Sequence, residues 1–402
     1  MKYVPLPLDL IDLTRAVPVD VWTPGGMLLL KRGQAILNET HRETLRARSA
    51  SITQGDADAW QNSYERMIGN LIRDGVALAV IAQARMPAEI SLADYSVSRE
   101  IQGGWLDLQE NLLGLLYQGS AAMHPLPRLA GLERRALDLL DSKPEECLFV
   151  LFQALADLTL GYSATHALLS AVVCELTSEK LGVPLHTRRV LFRSALTMNI
   201  GMARDQGVLA RQSVAPNEHQ RQVIKDHPPK SLEILQALGV WDRDQLDIVH
   251  WHHDDDESNG LARNLTTRRI LRMADGFVAK MAPRKTRLAM SPLGAVKALL
   301  SGAAEDTEKF GSAMAAAVGF YPPGTYVQLA NGEKAVVIAR GAKANQPHVA
   351  SIIDAAGMPL SRYSYRDTAD SRYATRLPIN ADQIKVMVSR DKVARIRTDH
   401  LG

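Results

Sequence analysis

Cysteine is scarce in this chain: Cys147 and Cys174 are the only two in 402 residues, and both fall inside apolar helical patterns. Thiols in that setting read as small buried hydrophobes, which argues against a disulfide-stapled framework and for a reducing compartment. Long apolar runs are missing too. No stretch reaches the roughly 18 uncharged apolar residues of a membrane helix. The opening Met1-Lys2-Tyr3-Val4-Pro5 carries no apolar leader core, so a cytoplasmic protein that does not enter the membrane is expected. Internal repeats and low-complexity tracts are also absent, which removes solenoid and fibrous architectures.

What remains is the composition of a folded globular protein, 46% hydrophobic and 23% charged, and its length exceeds one comfortable hydrophobic core, so two or three domains are expected. Lys and Arg number 47 against 44 acids, a formal net charge of +3. The excess is mild and evenly spread, and basic runs, such as Arg188-Arg189 and Arg268-Arg269, are no longer than two residues. Nucleic acid is therefore not an expected partner, since duplex binders gather their cations into a stripe.

Residues 1–55 read as a small β unit. Val17 to Trp22 and Met27 to Leu30 flank the turn Thr23-Pro24-Gly25-Gly26, and a short helix from about Glu39 to Arg48 closes it. From 56 to 141 the period becomes 3.6, as in Trp105, Leu108, Leu112, Leu115 and Leu116, with a break at His124-Pro125-Leu126-Pro127. This stretch reads as a helical connector or dimerisation segment, which allows for a homodimer. Helix follows helix over 142–318, including Glu146–Gly161 and Ser163–Leu181, the latter stopped by Gly182 and Pro184. From 319 to 402 the pattern is β again: Tyr326–Leu329 and Lys334–Ala339 bracket Asn331-Gly332, with further strands expected at His348–Asp354 and Ile384–Val388. The fold class expected is mainly α, a helical domain between a small N-terminal β unit and a C-terminal β appendage.

Five of the eleven histidines lie between His219 and His253. A lone histidine is more often a satisfied core or surface residue than a ligand, and His166 alone carries little weight. The adjacent pair His252-His253 is more telling. Neighbouring helical positions point about 100° apart, so both rings reach one centre only at a helix end or across more than one ion. Asp275 ends an apolar stretch, Arg269 to Ala274, and faces the buried side. Such a carboxylate needs a cationic or hydrogen-bonding partner, either an Arg or a metal.

At these residues the chain resembles a known family: residues 160–340 are similar to the HD-GYP domain, the branch of the HD phosphohydrolases that hydrolyses the bacterial second messenger cyclic di-GMP. His166, in Tyr162-Ser163-Ala164-Thr165-His166, matches the first metal-ligand histidine, and Leu196 to Met202 matches the His-Asp-Ile-Gly-Lys segment. Pro216-Asn217-Glu218-His219 with Ile224-Lys225-Asp226-His227-Pro228 matches the helix carrying the next ligand histidine. His252-His253-Asp254 matches His-His-Glu, Gly260-Leu261-Ala262 stands at the Gly-Tyr-Pro signature, and Asp275 matches the last ligand aspartate. Arg284 and Arg287 match the basic residues that hold substrate phosphate, and Gly319 to Leu329 continues the likeness. The resemblance implies an HD-type helical bundle, with His166, His227, His252, His253 and Asp275 as metal ligands; the first 140 residues lie outside it.

In active relatives a bridging aspartate and a set of histidines hold two or three Fe or Mn ions, and metal-bound hydroxide attacks phosphorus. Here Met198 replaces the histidine and Asn199 the bridging aspartate of the signature pair, while Met202 replaces the lysine. Tyr162 takes the place of the Glu that binds an extra metal in trinuclear members, and Leu261 and Ala262 erase the signature tripeptide. A thioether is a weak donor to Fe(II) or Mn(II), and a neutral amide supplies no anionic bridge. The resemblance so read implies no intact catalytic set and at most one divalent ion. The expectation is a catalytically impaired regulatory module of cyclic di-GMP signalling. It would bind cyclic di-GMP or a related cyclic dinucleotide, or a protein such as a diguanylate cyclase. The alternatives are an active phosphodiesterase with a reduced metal site and a protein-interaction scaffold.

Overall fold

A computed structural model describes residues 3–73, 76–90, 103–254, 256, 258–283, 289–300 and 305–401. The chain divides into two compact units, Met1–Arg99 and Glu100–Gly402. Among the described residues no helix is long and apolar enough to cross a membrane.

The first unit is a four-stranded antiparallel sheet, β1 (Tyr3–Pro5), β2 (Val21–Trp22), β3 (Leu28–Leu30) and β4 (Ser51–Thr53), in the order β1-β4-β2-β3, with helices α1 (Glu39–Ala47), α2 (Gln54–Arg73) and α3 (Leu78–Ile81). The expected hairpin is present, shortened to Val21–Trp22 against Leu28–Leu30. Asn38 caps α1 by accepting from the His41 N–H. At the entry to α2, Thr53 Oγ1 accepts from the Asp56 N–H and donates to its carboxylate. Val17, Val19, Val21, Ile36, Ile52 and Trp60 form the dry centre of this unit.

The second unit is built around α7 (Tyr162–Lys180), buried at every position from Tyr162 to Ser178. Apolar and small residues fall on all its sides, and its buried His166 and Glu175 have partners, as a central helix requires. Around it pack α4 (Trp105–Gln118), α6 (Pro144–Ala156), α8 (Leu185–Thr197), α9 (Ala203–Arg211), α12 (Leu265–Met281) and α14 (Glu305–Val318). Helix α5 (Pro125–Ser142) lies on α4, α6 and α8, α10 (Glu218–Ala237) on α11 (Arg243–Trp251), and α13 (Pro292–Leu300) on α12 and α14. Arg188 and Arg189 both pair with Glu175, and Arg268 donates to the Asn259 carbonyl.

The C-terminal appendage is a five-stranded antiparallel sheet of β5 (Tyr326–Leu329), β6 (Lys334–Ala339), β7 (His348–Ile353), β8 (Pro359–Asp367) and β9 (Thr375–Ile379), ordered β8-β7-β6-β5-β9, followed by α15 (Arg390–Leu401). The strand expected at Ile384–Val388 does not form. That segment forms no ladder and bends at Val386, Met387 is exposed, and the Tyr363 hydroxyl holds it by donating to the Met387 carbonyl and accepting from the Ser389 N–H. Strands β8 and β9 and helix α15 take up the remaining chain.

The appendage is joined to α6 at several points. Glu145 accepts from the backbone N–H of Arg340 at 2.8 Å and from its guanidinium at 2.6–2.7 Å, and the same guanidinium donates to the Ala317 carbonyl. Gln153 meets the Tyr326 hydroxyl and the Gly324 carbonyl. Gly324 is required there: its φ is +93°, and a Cβ would stand 2.6 Å from the Phe149 carbonyl oxygen.

Candidate metal centre

His227 is set by the proline that follows it. In a regular helix the Ile224 carbonyl would accept from the N–H of residue 228, but Pro228 has none, so that carbonyl is left without its helical donor. His227 Nδ1 takes it at 2.6 Å. His252 is fixed by a parallel device. It is the C-cap of α11, where the last carbonyls have no intrahelical donors, and its Nδ1 takes the Val249 carbonyl at 2.7 Å. A carbonyl only accepts, so both Nδ1 atoms carry the proton and both Nε2 atoms present lone pairs.

Those two Nε2 atoms face each other at 3.3 Å. Two neutral acceptors make no hydrogen bond. Burial, above all, lowers the pKa of His227 to about 4 and that of His252 well below its ordinary value, so a shared proton does not reconcile them. A cation does. An ion held between them would take both lone pairs as ligands. His253 follows directly, past the end of α11, with its ring 4.0 Å from that of His252 and 5.1 Å from that of His227. One nitrogen from each of the three rings lies within 4.8 Å of the others. The adjacent pair thus sits at a helix end, the arrangement that lets both rings address one point.

His166 and Asp275 form a second group. Packing of α7 on α12 puts His166 Nε2 2.7 Å from Asp275 Oδ1, and the Tyr162 hydroxyl lies 3.3 Å from His166 Nδ1. Burial would raise the Asp275 pKa, but hydrogen bonding and charge from His166, with the nearby His253 and His252, hold it below the usual carboxylate range. The side chain nearest this acid is a histidine, with the Asn199 amide donating from 3.5 Å and His253 Nε2 4.0 Å away as the link to the triad. Asn199 is buried, and its Oδ1 accepts no hydrogen bond, an acceptor left over beside the centre.

Met198 and Met202 are buried on the same short segment, in the turn after α8. Sequence reading missed what holds that turn. Ser231, one turn beyond His227 on α10, donates to the Met198 carbonyl at 2.8 Å and accepts from the Gly201 N–H at 2.9 Å. A Cβ on Gly201 would stand 2.7 Å from the His227 carbonyl oxygen and 2.8 Å from the Ser231 nitrogen, both backbone atoms. Gly201→Ala is therefore expected to push α10 away, destabilise the chain by about 1–3 kcal/mol and weaken metal binding along with it. Parallel denaturation and metal titrations of this variant check the coupling.

Leu261 and Ala262 lie where the loop after α11 turns into α12. The Leu261 N–H donates to Asp247, and Asn264 bridges Asp247 and Asp244, so acids of α11 pin this loop. Arg284 and Arg287 lie outside the described residues.

The lowered His227 pKa has a consequence in the metal-free chain. The unfolded state takes up the proton near the ordinary value of 6.5 and the folded state only near 4. Between those values the unfolded chain binds more protons, so this residue's contribution falls as pH drops through the window, by about 1.4 kcal/mol per pH unit, and is constant above it. His227→Gln should show a shallower loss of stability across this range than the parent, measured by urea unfolding in chelator.

No family model and no curated protein matches the chain. Among solved structures it is similar to Bd1817, a HDG"Y"P protein from Bdellovibrio bacteriovorus, at 13% identity over 78% of this chain and 98% of that one, with a TM-score of 0.42. The likeness is distant, and the reading of the centre rests on its own geometry.

Proposed function

We propose that this chain is a degenerate HD-GYP-type regulatory module of cyclic di-GMP signalling, in which His227, His252 and His253 hold one Fe or Mn ion and no nucleotide is turned over. The observation that carries the reading is the pair of lone-pair nitrogens, His227 Nε2 and His252 Nε2, facing each other at 3.3 Å beside a third histidine. A binuclear centre needs an anion shared between two dications, and the side chain at that place is the neutral amide of Asn199. His166 and Asp275 satisfy each other. A bound ion would supply positive charge to grip a phosphate oxygen. The histidines' part is to hold it, each with its tautomer fixed by a main-chain carbonyl. On this reading the ligand is cyclic di-GMP or a related cyclic dinucleotide, with Arg284 and Arg287 as its phosphate contacts, and the downstream partner is a signalling protein such as a diguanylate cyclase.

Elemental analysis after expression with Fe and Mn, together with a chromatographic assay of cyclic di-GMP hydrolysis, tests this. One ion per chain and no product are expected. Two tightly held ions, or turnover that disappears in His253→Ala, would establish a working phosphodiesterase instead.

A further inference from the structure

A cavity of about 310 Å³ opens between α5, α8 and the turn joining α10 to α11, and none of the metal-centre histidines lines it. Its walls are apolar at Leu126, Leu129 and Val240, and its charged residues are Glu133, Asp242 and Arg193, two carboxylates to one guanidinium. Arg193 is stretched between the acids, 3.3 and 3.5 Å from the Glu133 oxygens and 3.2 Å from Asp242. Asp242 has further donors, the N–H groups of Asp244 and Gln245 at the start of α11. Among the described residues the hydrogen bonds to Glu133 are the long ones from Arg193, and burial raises its pKa against the pull of Arg193 and Arg189.

At the mouth stands Trp241, 82% exposed. The bend that carries it is stiff on both sides. Gly239 and Val240 donate back to the Gln236 and Leu235 carbonyls, closing α10, while Asp242 caps α11. The Trp241 indole stands in water beside an apolar, acid-lined cavity, and Trp is enriched among the residues that carry binding energy at interfaces.

We propose that this cavity is a docking site for a lysine side chain of a partner protein. The alkyl stem would lie on Leu126 and Val240, the ammonium would meet Glu133, and the Trp241 indole would close over the cation.

Calorimetric titration of the full chain with a capped heptapeptide, Gly-Leu-Ala-Lys-Ala-Leu-Gly, tests the assignment against the same peptide carrying norleucine for lysine and against n-butylamine. Saturable binding of the lysine peptide is expected, weakened roughly tenfold or more by norleucine and by Glu133→Gln, and about fivefold or more by Trp241→Ala, whose exposed side chain leaves folding untouched. Equal binding of the lysine and norleucine peptides, or no saturable heat from either, overturns the proposal. Butylamine binding as tightly as the peptide overturns it too, in favour of a site for free small amines. The norleucine comparison and Trp241→Ala remain decisive even if Glu133→Gln fails to fold.

Discussion

His252→Ala is expected to lower affinity for Mn or Fe by at least 100-fold, about 2.7 kcal/mol, and to remove most of the stabilisation of the chain by metal. The ring is wholly buried, its nitrogen opposes that of His227, and no other side chain among the described residues is placed to take over that position. For the parent chain, an ion at about 100 times its dissociation constant should add roughly 2.7 kcal/mol to unfolding, and the variant at the same concentration should gain about 0.4 kcal/mol or less. His166→Gln is the contrasting arm. His166 is engaged with Asp275 rather than with the triad, so this variant should lose stability, by uncovering a buried carboxylate, yet keep one ion. Metal titration and melting with and without Mn separate the two; loss of the ion in both would place His166 among the ligands.

Restoring Met198→His, Asn199→Asp and Met202→Lys together should recover a second ion before it recovers activity, at a stability cost of roughly 3–5 kcal/mol without metal. All three positions are buried, and the Asn199 amide now donates towards Asp275, so an aspartate there would set two carboxylates against each other. The cost should be largely returned by Mn, because the second ion would lie between those acids. Activity needs more, since the loop at Leu261 and Ala262 is held by Asp247 in the shape this sequence dictates, and phosphate chemistry tolerates only small errors of position. A variant that gains neither a second ion nor Mn-dependent stabilisation would mean that the pocket no longer has the geometry its sequence suggests.

Much of the helical domain was legible because its signals are local. Helix α7, of mostly apolar and small residues, and the His-Pro step in α10 each need only a short stretch to be read, as does the Asn331-Gly332 hairpin of the appendage. The appendage was legible only at its centre. Strands β5, β6 and β7 are apolar because both faces are covered, whereas β8 and β9 are the sheet edges, and Pro359–Asp367 and Thr375–Ile379 carry the polar, arginine-rich composition that edges require. Helix α15 buries only Val393 and so shows no apolar stripe to find. Ile384–Val388 misled by having strand composition where no free edge pairs with it. In the site, residue types were readable, while the adjacent histidine pair left a helix end and a centre of more than one ion both open. The engagement of Asp275 by His166 was not, because the two are 109 residues apart and meet only through packing of α7 on α12.

The way the last helix returns bears on how the chain tolerates being handled. Arg397 of α15 reaches back to donate to the Ile338 carbonyl in β6 while its guanidinium lies 4.8 Å over the ring of Phe149 in α6. The final twelve-residue helix is thus a clasp on the bundle rather than a tail. Cutting the chain ahead of Arg390 would bare Phe149 and loosen the appendage at the face where Glu145 holds Arg340, so a protease that nicks near Met387 should yield a fragment that stays associated under native conditions and separates only on denaturation.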